Sequence, residues 1–270
     1  MDVTERWYTK EIQEYWDKDV NYSLWSTFEK FMGNPNTSQM IEQSKPATEG
    51  MPPVGIRYCM DLFWKERFGF INKLHRYVKE WIESVDTSKV ICRKKGMVNS
   101  TDFYFSFNYT DVLERVYGIE SVLHIHGGVA SVCDVPPIMG HSNEQDIQKY
   151  REWAKEAANE FDEANASIMD AVADYLETIY KDTKSQIRFN KSFFNRLSTV
   201  NRVIIMGWSA GEADIPYLQE IIKNISHNTR WTVYWYNKDA YNSLENVFKK
   251  ESIVDNNVIE YIQSDAFWSD

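Results

Sequence analysis

The sequence predicts an α/β protein whose mostly parallel sheet is flanked by helices, and three observations support this class. Five short apolar runs follow one another after residue 103: Phe103–Phe107, Val122–Ile125, Val203–Met206, Trp231–Tyr236 and Val258–Ile262. The runs are continuous rather than alternating and rich in β-branched or aromatic residues, which is typical of strands buried on both faces. Helix-like segments separate them, as crossover connections between parallel strands require.

The first 85 residues are predicted to be mostly helical. Apolar residues recur at three- and four-residue steps over residues 7–32, and an amphipathic helix is predicted over residues 60–84. Between them, residues 33–55 contain four of the seven prolines and therefore predict a loop. A loop of this length is a lid, a binding loop or plain surface.

Residues 143–198 interrupt the series of strands. A helical spacing of apolar residues indicates a long helix, followed by a second one around Phe193–Leu197; the spaced residues are Ala157, Phe161, Ile168, Val172, Leu176 and Ile179. We interpret this segment as a helical insertion between strands. The whole chain, residues 1–270, is then a single α/β domain, a length that one large domain can reach.

Composition excludes several classes of protein. Lys and Arg number 30 against 40 Asp and Glu, so the net charge is −10, which argues against nucleic-acid binding and against anionic membranes. The three cysteines, Cys59, Cys92 and Cys133, form no CxxC pair, so neither a disulfide framework nor a zinc ribbon is expected. Without a secretory signal or an apolar run of about 18 residues, we expect a cytoplasmic protein. The sequence leaves an oligomer open.

Polar or glycine-rich residues follow three of the predicted strands. Asn108 follows the first strand, His126 and Gly127 follow the second, and Gly207 follows the third. Ligands of open parallel sheets bind beyond these carboxyl ends. An amide and an imidazole there could hold a ribose and accept a proton near neutral pH. The alternative is an Asn in a strand-to-helix turn and a His bonded to the backbone.

The segment Gly207–Gly211 reads GWSAG, a formal GxSxG of the kind found at the nucleophile of α/β-hydrolases. A catalytic triad would need a later histidine, and the only one is His227, directly after the next predicted helix, which disfavours a serine hydrolase. Ser209 and Glu212 instead predict a capping box at a helix start. The turn could also present backbone N–H groups to an anion.

A metal site is the other alternative at the second strand. His124 and His126 lie on one face of the strand, and Cys133 and His141 follow, a set compatible with tetrahedral zinc. The spacing matches no metal motif, however. We therefore predict no metal and interpret His124 as a half-buried histidine with its hydrogen bonds satisfied.

Taken together, these motifs resemble the AbiH family of bacterial phage-defence (abortive infection) proteins and, more distantly, the sirtuin-like domains. The resemblance covers about residues 20 to 250, and its most specific part is the FNYT-to-HIHG pair. The segments that carry it are FNYT at 107–110 with Leu113-Glu114, HIHG at 124–127, Gly140-His141, and GWS at 207–209 with Asp214.

The resemblance implies a Rossmann-like domain of the sirtuin type that binds or hydrolyses NAD. In such a site Asn108 would position the ribose or a water molecule, and His126 would be the general base. The residues implied to contact the dinucleotide are Asn108, Thr110, Gly127, Gly207, Trp208, Ser209 and Asp214. A phage component or a second polypeptide is the partner that the resemblance suggests.

Two departures from the family pattern bear on this interpretation. Family members usually begin with a strand and a glycine turn of the type IGNGFD, whereas here Trp25-x-x-x-Glu29 resembles the segment that follows that turn. Either the chain is truncated, or another polypeptide supplies the turn, or the nucleotide site has been lost. The last case predicts a non-catalytic binding or regulatory module of the same fold. In addition, Thr110 stands where a sirtuin-like motif has Asp, and Asp111 follows it.

Overall fold

The computed structural model describes residues 29, 32–94, 99, 101–129, 135–251 and 259–269. Most of the helix predicted over residues 7–32 lies outside these residues, as do Cys133 and the first residue of the predicted last strand. In chain order, the described residues form α1 (Thr37–Thr48), α2 (Pro53–Arg67), α3 (Ile71–Glu83), β1 (Tyr104–Ser106), α4 (Val112–Tyr117), β2 (Val122–His124), α5 (Glu144–Asn159), α6 (Glu163–Thr178), α7 (Thr183–Phe189), α8 (Lys191–Arg196), β3 (Arg202–Met206), α9 (Ile215–Asn224), β4 (Arg230–Trp235), α10 (Lys238–Lys250), β5 (Ile259–Gln263) and α11 (Ser264–Trp268).

The strands confirm a mixed α/β protein with parallel pairing. Each of the five predicted runs corresponds to a strand whose ends lie within one residue of the prediction. β1 pairs with β2 so that Ser106 lies opposite His124, and β4 lies between β3 and β5. The described strands form two separate hydrogen-bonded sheets, one of two strands and one of three. The Rossmann-like, sirtuin-type arrangement stays a prediction.

The prediction of a loop over residues 33–55 is wrong. Helix α1 occupies Thr37–Thr48, where the Asn36 side chain accepts a hydrogen bond from the Gln39 N–H group and caps the first turn. Two of the prolines are compatible with helix: Pro46 lies in the last turn of α1, and Pro53 begins α2. A proline in the first turn costs no hydrogen bond because that N–H group has no partner within the helix.

Two predicted helices are each divided in the structure. The helix predicted over residues 60–84 is interrupted by a 3₁₀ turn at Phe68–Phe70, which contains Gly69. The long helix predicted from Ala157 to Ile179 becomes α5 and α6, because the chain turns at Phe161, whose φ is +61° and whose side chain is 88% exposed. An exposed aromatic at a left-handed position marks a turn that helical spacing alone does not reveal.

The chain divides into two compact units, each built from two separate segments. The first unit contains residues 1–85 and 135–181, and the second contains residues 86–134 and 182–270. In the first unit, α2 and α5 pack against α6, which buries Ile168, Val172 and Leu176. None of the described helices combines the length and the apolar character needed to cross a lipid bilayer.

Aromatic packing organises the second unit. Trp231 and Val233 of β4 contact Leu244 and Phe248 of α10 in one buried cluster. A second cluster surrounds the fully buried Tyr217 of α9. The rings of Phe105 and Phe107 lie 6.1 and 6.0 Å from the Tyr217 ring. These contacts hold α9 against the end of β1, which places the residues that follow the strands close to one another.

Candidate functional site

The candidate site lies in the second unit, beyond the carboxyl ends of β1 and β2. The register that places Ser106 opposite His124 continues past both strands, since the Ile125 N–H group donates to the Ser106 carbonyl at 3.1 Å. Farther on, the Val129 N–H group donates to the Tyr109 carbonyl at 3.0 Å. The two segments therefore run side by side, and Asn108 and His126 each lie two residues beyond the paired ends.

Asn108 has a fixed backbone and an exposed side chain. Its N–H group donates to the Ser106 hydroxyl at 3.1 Å. Thr110, two residues on, is half-buried, and the next residue, Asp111, is buried and accepts a hydrogen bond from the Thr87 hydroxyl at 2.8 Å. Asp111 therefore anchors the loop, and of these residues it is Asn108 that presents an exposed side chain at the strand end.

His126 is 3% exposed and is surrounded by aromatic rings. The centroid of its ring lies 5.3 Å from that of Phe107, 6.4 Å from that of Tyr109 and 5.5 Å from that of Tyr217. Its Nε2 atom lies 3.2 Å from Oδ1 of Asp214, an ion-pair distance although the groups are not aligned as a hydrogen bond. We call these two residues the His126–Asp214 pair.

The sequence predicts that Asp214 contacts the dinucleotide, and the structure places its carboxylate against His126. Its side chain is 11% exposed, at the end of the 3₁₀ turn Glu212–Asp214 that leads into α9. A carboxylate that faces one imidazole nitrogen orients the ring and stabilises the charge that the ring acquires when it accepts a proton. Since 88 residues separate the two positions, only the packing of α9 against β1 reveals the contact.

The turn after β3 adopts left-handed backbone conformations at two positions. Gly207 has φ of +68° and Ala210 has φ of +55°. Ala210 carries a Cβ, so this conformation costs about 1–2 kcal/mol. Trp208 is buried and stacks on Phe107 with ring centroids 6.0 Å apart, and its Nε1 atom has no hydrogen-bond partner among the described residues. The turn is thus strained and contains a buried donor.

Ser209 is exposed and does not cap a helix, so the predicted capping box is wrong. The 3₁₀ turn Glu212–Asp214 begins after Gly211 without a side-chain hydrogen bond at its cap. A serine triad is also disfavoured. His227 precedes β4 at the amino edge of the sheet, whereas Ser209 follows β3 at the carboxyl edge, with about 13 Å of paired strand between the two edges.

His124 is buried rather than half-buried, and its hydrogen bonds are satisfied as predicted. Nδ1 lies 2.7 Å from the Asn108 carbonyl oxygen, and Nε2 lies 2.8 Å from Oε1 of Glu114. Gly127 closes a tight turn behind it, with φ of +71° and its N–H group donating to the His124 carbonyl. Within the described part of the chain, no group of three or more His, Cys, Asp and Glu side chains could hold a metal ion.

A buried ion pair in the first unit escaped sequence reasoning. Lys181 is fully buried, and its Nζ atom lies 2.8 Å from Oε1 of Glu29, which also accepts the Gly140 N–H group at 3.2 Å. Gly140 has φ of +139°, and a Cβ atom there would lie 1.8 Å from the Ile179 carbonyl oxygen. Only glycine fits this close approach of two backbone segments. A lone lysine in a polar stretch gives no signal of such a pair.

His141 is accounted for by the same packing. Its Nδ1 atom accepts the Asn143 N–H group at 3.1 Å, so Nε2 carries the proton and donates to the Leu176 carbonyl at 3.0 Å. Burial lowers the pKa of His141, which favours this neutral form. The Gly140-His141 motif therefore joins two backbone segments of the first unit.

The first unit also contains a cleft of about 580 Å³ between α2 and α6. Its two arginines pair with facing carboxylates: Arg57 with Asp170, and Arg151 with Asp170 and Asp174. Trp64 forms part of the wall. Because the facing charges compensate each other, the cleft shows no excess charge that would select a ligand.

Comparison with known proteins agrees with the motifs. A family model described as "Bacteriophage abortive infection AbiH" matches residues 3–235, a span that includes all four motifs and ends at the last residue of β4. No curated protein and no solved structure matches the chain. Because the match spans far more than half of the 270 residues, the chain belongs to the AbiH family of bacteriophage abortive infection proteins.

Proposed function

We propose that the protein binds NAD at the ends of β1, β2 and β3 and hydrolyses its nicotinamide–ribose bond. Membership of the AbiH family indicates a role in phage abortive infection, and NAD hydrolysis would be the chemistry behind that role. The observation that supports it best is the His126–Asp214 pair, with 3.2 Å between Nε2 and Oδ1, beside the exposed amide of Asn108. A histidine oriented by a carboxylate is the usual form of a general base.

The polar groups at this edge suit a dinucleotide. The Asn108 amide offers both a donor and an acceptor to ribose hydroxyl groups. At Gly207, no atom lies within 4 Å of the position that a Cβ would take, so the turn is open to a ligand on that side. The Trp208 indole adds a buried donor that lacks a partner among the described residues. An acidic protein needs such neutral donors to hold an anionic ligand.

The proposed reaction uses the ring nitrogen that faces away from Asp214. A water molecule positioned by Asn108 attacks C1′ of the ribose, and the bond from C1′ to the pyridinium nitrogen breaks. Nicotinamide leaves with the two bonding electrons and becomes neutral. The proton of the water passes to Nδ1 of His126, and the Asp214 carboxylate stabilises the imidazolium through Nε2.

The test is release of nicotinamide from NAD, followed by chromatography, for the full chain and matched variants. We expect His126→Ala and Asn108→Ala to lower the rate by about 10²–10⁴-fold, the usual contribution of a general base or an oriented donor. His227→Ala is the control, because this exposed histidine lies at the opposite edge of the sheet. Circular dichroism confirms that each variant is folded. Unchanged turnover in both site variants would refute the assignment.

A non-catalytic binding module is the second candidate, and one observation favours it. His126 is 3% exposed, whereas a general base must touch the group from which it takes the proton. Saturable binding of NAD by calorimetry, weakened by Asn108→Ala and without release of nicotinamide, would support this alternative.

A further inference from the structure

We propose that Glu114 and His124 are positioning residues that hold Asn108 in place; the proposal rests on the role of Asn108 in the proposed function. His124 bridges two groups that lie on either side of the loop between β1 and α4. Nδ1 lies 2.7 Å from the Asn108 carbonyl oxygen, and Nε2 lies 2.8 Å from Oε1 of Glu114, in the first turn of α4. We call this arrangement the Glu114–His124 clamp.

The clamp acts on the backbone of Asn108 and leaves its side chain exposed. The Asn108 N–H group donates to the Ser106 hydroxyl at 3.1 Å, and the carbonyl on the other side of the residue accepts from His124. Both backbone polar groups of Asn108 are therefore fixed. Since the direction of the side chain depends on the backbone that carries it, the clamp determines where the amide meets a ligand.

The clamp is buried and includes an ionisable pair, which makes its bonds stronger than exposed ones. The His124 side chain is 2% exposed and that of Glu114 is 20% exposed. A carbonyl oxygen only accepts, so Nδ1 must carry a proton, and Nε2 faces a carboxylate. A hydrogen bond between Nε2 and Oε1 needs one further proton between these two atoms, and burial strengthens it. The bond to the carbonyl is therefore made by a ring that Glu114 holds in orientation.

Two substitutions of His124 separate the two halves of the clamp. The amide nitrogen of Asn occupies approximately the position of Nδ1, whereas that of Gln occupies approximately the position of Nε2. His124→Asn can thus keep the bond to Asn108 and lose the contact with Glu114. His124→Gln can keep the contact with Glu114 and lose the bond to Asn108. A purely structural role would make the two variants equally harmful, or Asn the worse.

Release of nicotinamide gives the first readout. We expect His124→Gln to lower kcat about tenfold while the Kd for NAD stays within about twofold, because the variant loses one buried hydrogen bond to the Asn108 carbonyl. We expect His124→Asn, which keeps that bond, to hold kcat within about threefold of wild type. Equal loss of kcat in the two variants, or loss in His124→Asn alone, would overturn the proposal.

Hydrogen exchange gives a readout that needs no ligand. We expect the peptide covering residues 107–110 to exchange at least about tenfold faster in His124→Gln, which loses the bond to Asn108. We expect a smaller acceleration in His124→Asn and in Glu114→Ala, which lose only the contact between position 124 and Glu114. If wild type neither binds nor cleaves NAD, the proposed function fails, and the exchange pattern still decides whether the clamp orders the loop. Equal exchange in the two His124 variants would then reject the clamp by itself.

Discussion

Replacing Gly140 by Ala should destabilise the first unit more than the same change at any open glycine. The added Cβ would lie 1.8 Å from the Ile179 carbonyl oxygen, and real contacts of a Cβ essentially never fall below 3.0 Å. The two backbone segments must therefore separate by about 1.2 Å in the Ala variant. Because the clashing atom belongs to the backbone, a change of side-chain rotamer cannot relieve it.

The cost follows from the bonds that this separation breaks. The His141 N–H group donates to the Ile179 carbonyl at 3.2 Å, and the Lys181 N–H group donates to the His141 carbonyl at 2.8 Å. Two bonds of about 1 kcal/mol each, together with about 1–2 kcal/mol for an L-residue at φ of +139°, give a loss of about 3–4 kcal/mol. Gly50→Ala is the matched control. Gly50 has φ of +74° with no atom within 4 Å of its Cβ position, so only the cost of the backbone conformation remains.

Urea denaturation followed by circular dichroism measures both losses. With an m value of about 3 kcal/mol per molar, the midpoint of Gly140→Ala should fall by about 1 M and that of Gly50→Ala by about 0.5 M. Amide exchange at Lys181 should accelerate only in Gly140→Ala. If the two variants lose the same free energy of unfolding, the close approach does not constrain position 140 and the reasoning is wrong.

Three other predictions follow from the described contacts. Lys181→Met should cost about 3–5 kcal/mol of unfolding free energy, because it leaves the Glu29 carboxylate buried without its cation. The double variant that also carries Glu29→Gln should recover part of this loss in the same urea assay. Burial lowers the pKa of His141 in the folded state, so the unfolded state binds the proton more tightly. The free energy of unfolding should therefore decrease as the pH falls below 6.5, the ordinary pKa of histidine. His141→Gln should flatten this pH dependence in thermal melts. A fluorophosphonate probe should label wild type and Ser209→Ala equally, because His227 lies at the other edge of the sheet; labelling lost in the variant would revive the serine hydrolase.

The strands could be predicted from sequence because a buried parallel strand needs only a short, continuous apolar run. The run from Val203 to Met206 is an example, and β3 contains all of it. The helix from Thr37 to Thr48 could not be predicted, because a segment with four prolines indicates a loop. The position of each proline decides its effect: one in the first turn of a helix, such as Pro53, costs no hydrogen bond, and spacing along the chain does not reveal where a helix begins.

The candidate site was predicted residue by residue but not in its contacts. Asn108 and His126 lie on the segments that follow β1 and β2. These segments meet because the two strands are parallel, and the strand pattern already predicts that pairing. The approach of Asp214 to His126 depends on how α9 packs on aromatic rings from β1, and no local pattern encodes that. The contact between Glu114 and His124 was equally hidden, since it requires the side chain of a helix to reach a strand that comes later in the chain.

Each unit comprises two separate segments of the chain, and this determines the order in which the units can fold during synthesis on the ribosome. The first unit is complete only when residue 181 has emerged, because its second segment ends there. The second unit then waits for the remaining 89 residues, about 5–20 s of synthesis at usual rates. During this interval β1 and β2 have already emerged from the ribosome. Tyr217, against which Phe105 and Phe107 pack, has not yet been synthesised. The nascent strand ends, including Asn108 and His126, therefore lack their aromatic packing until α9 has been made, and neither unit corresponds to one continuous fragment of the chain.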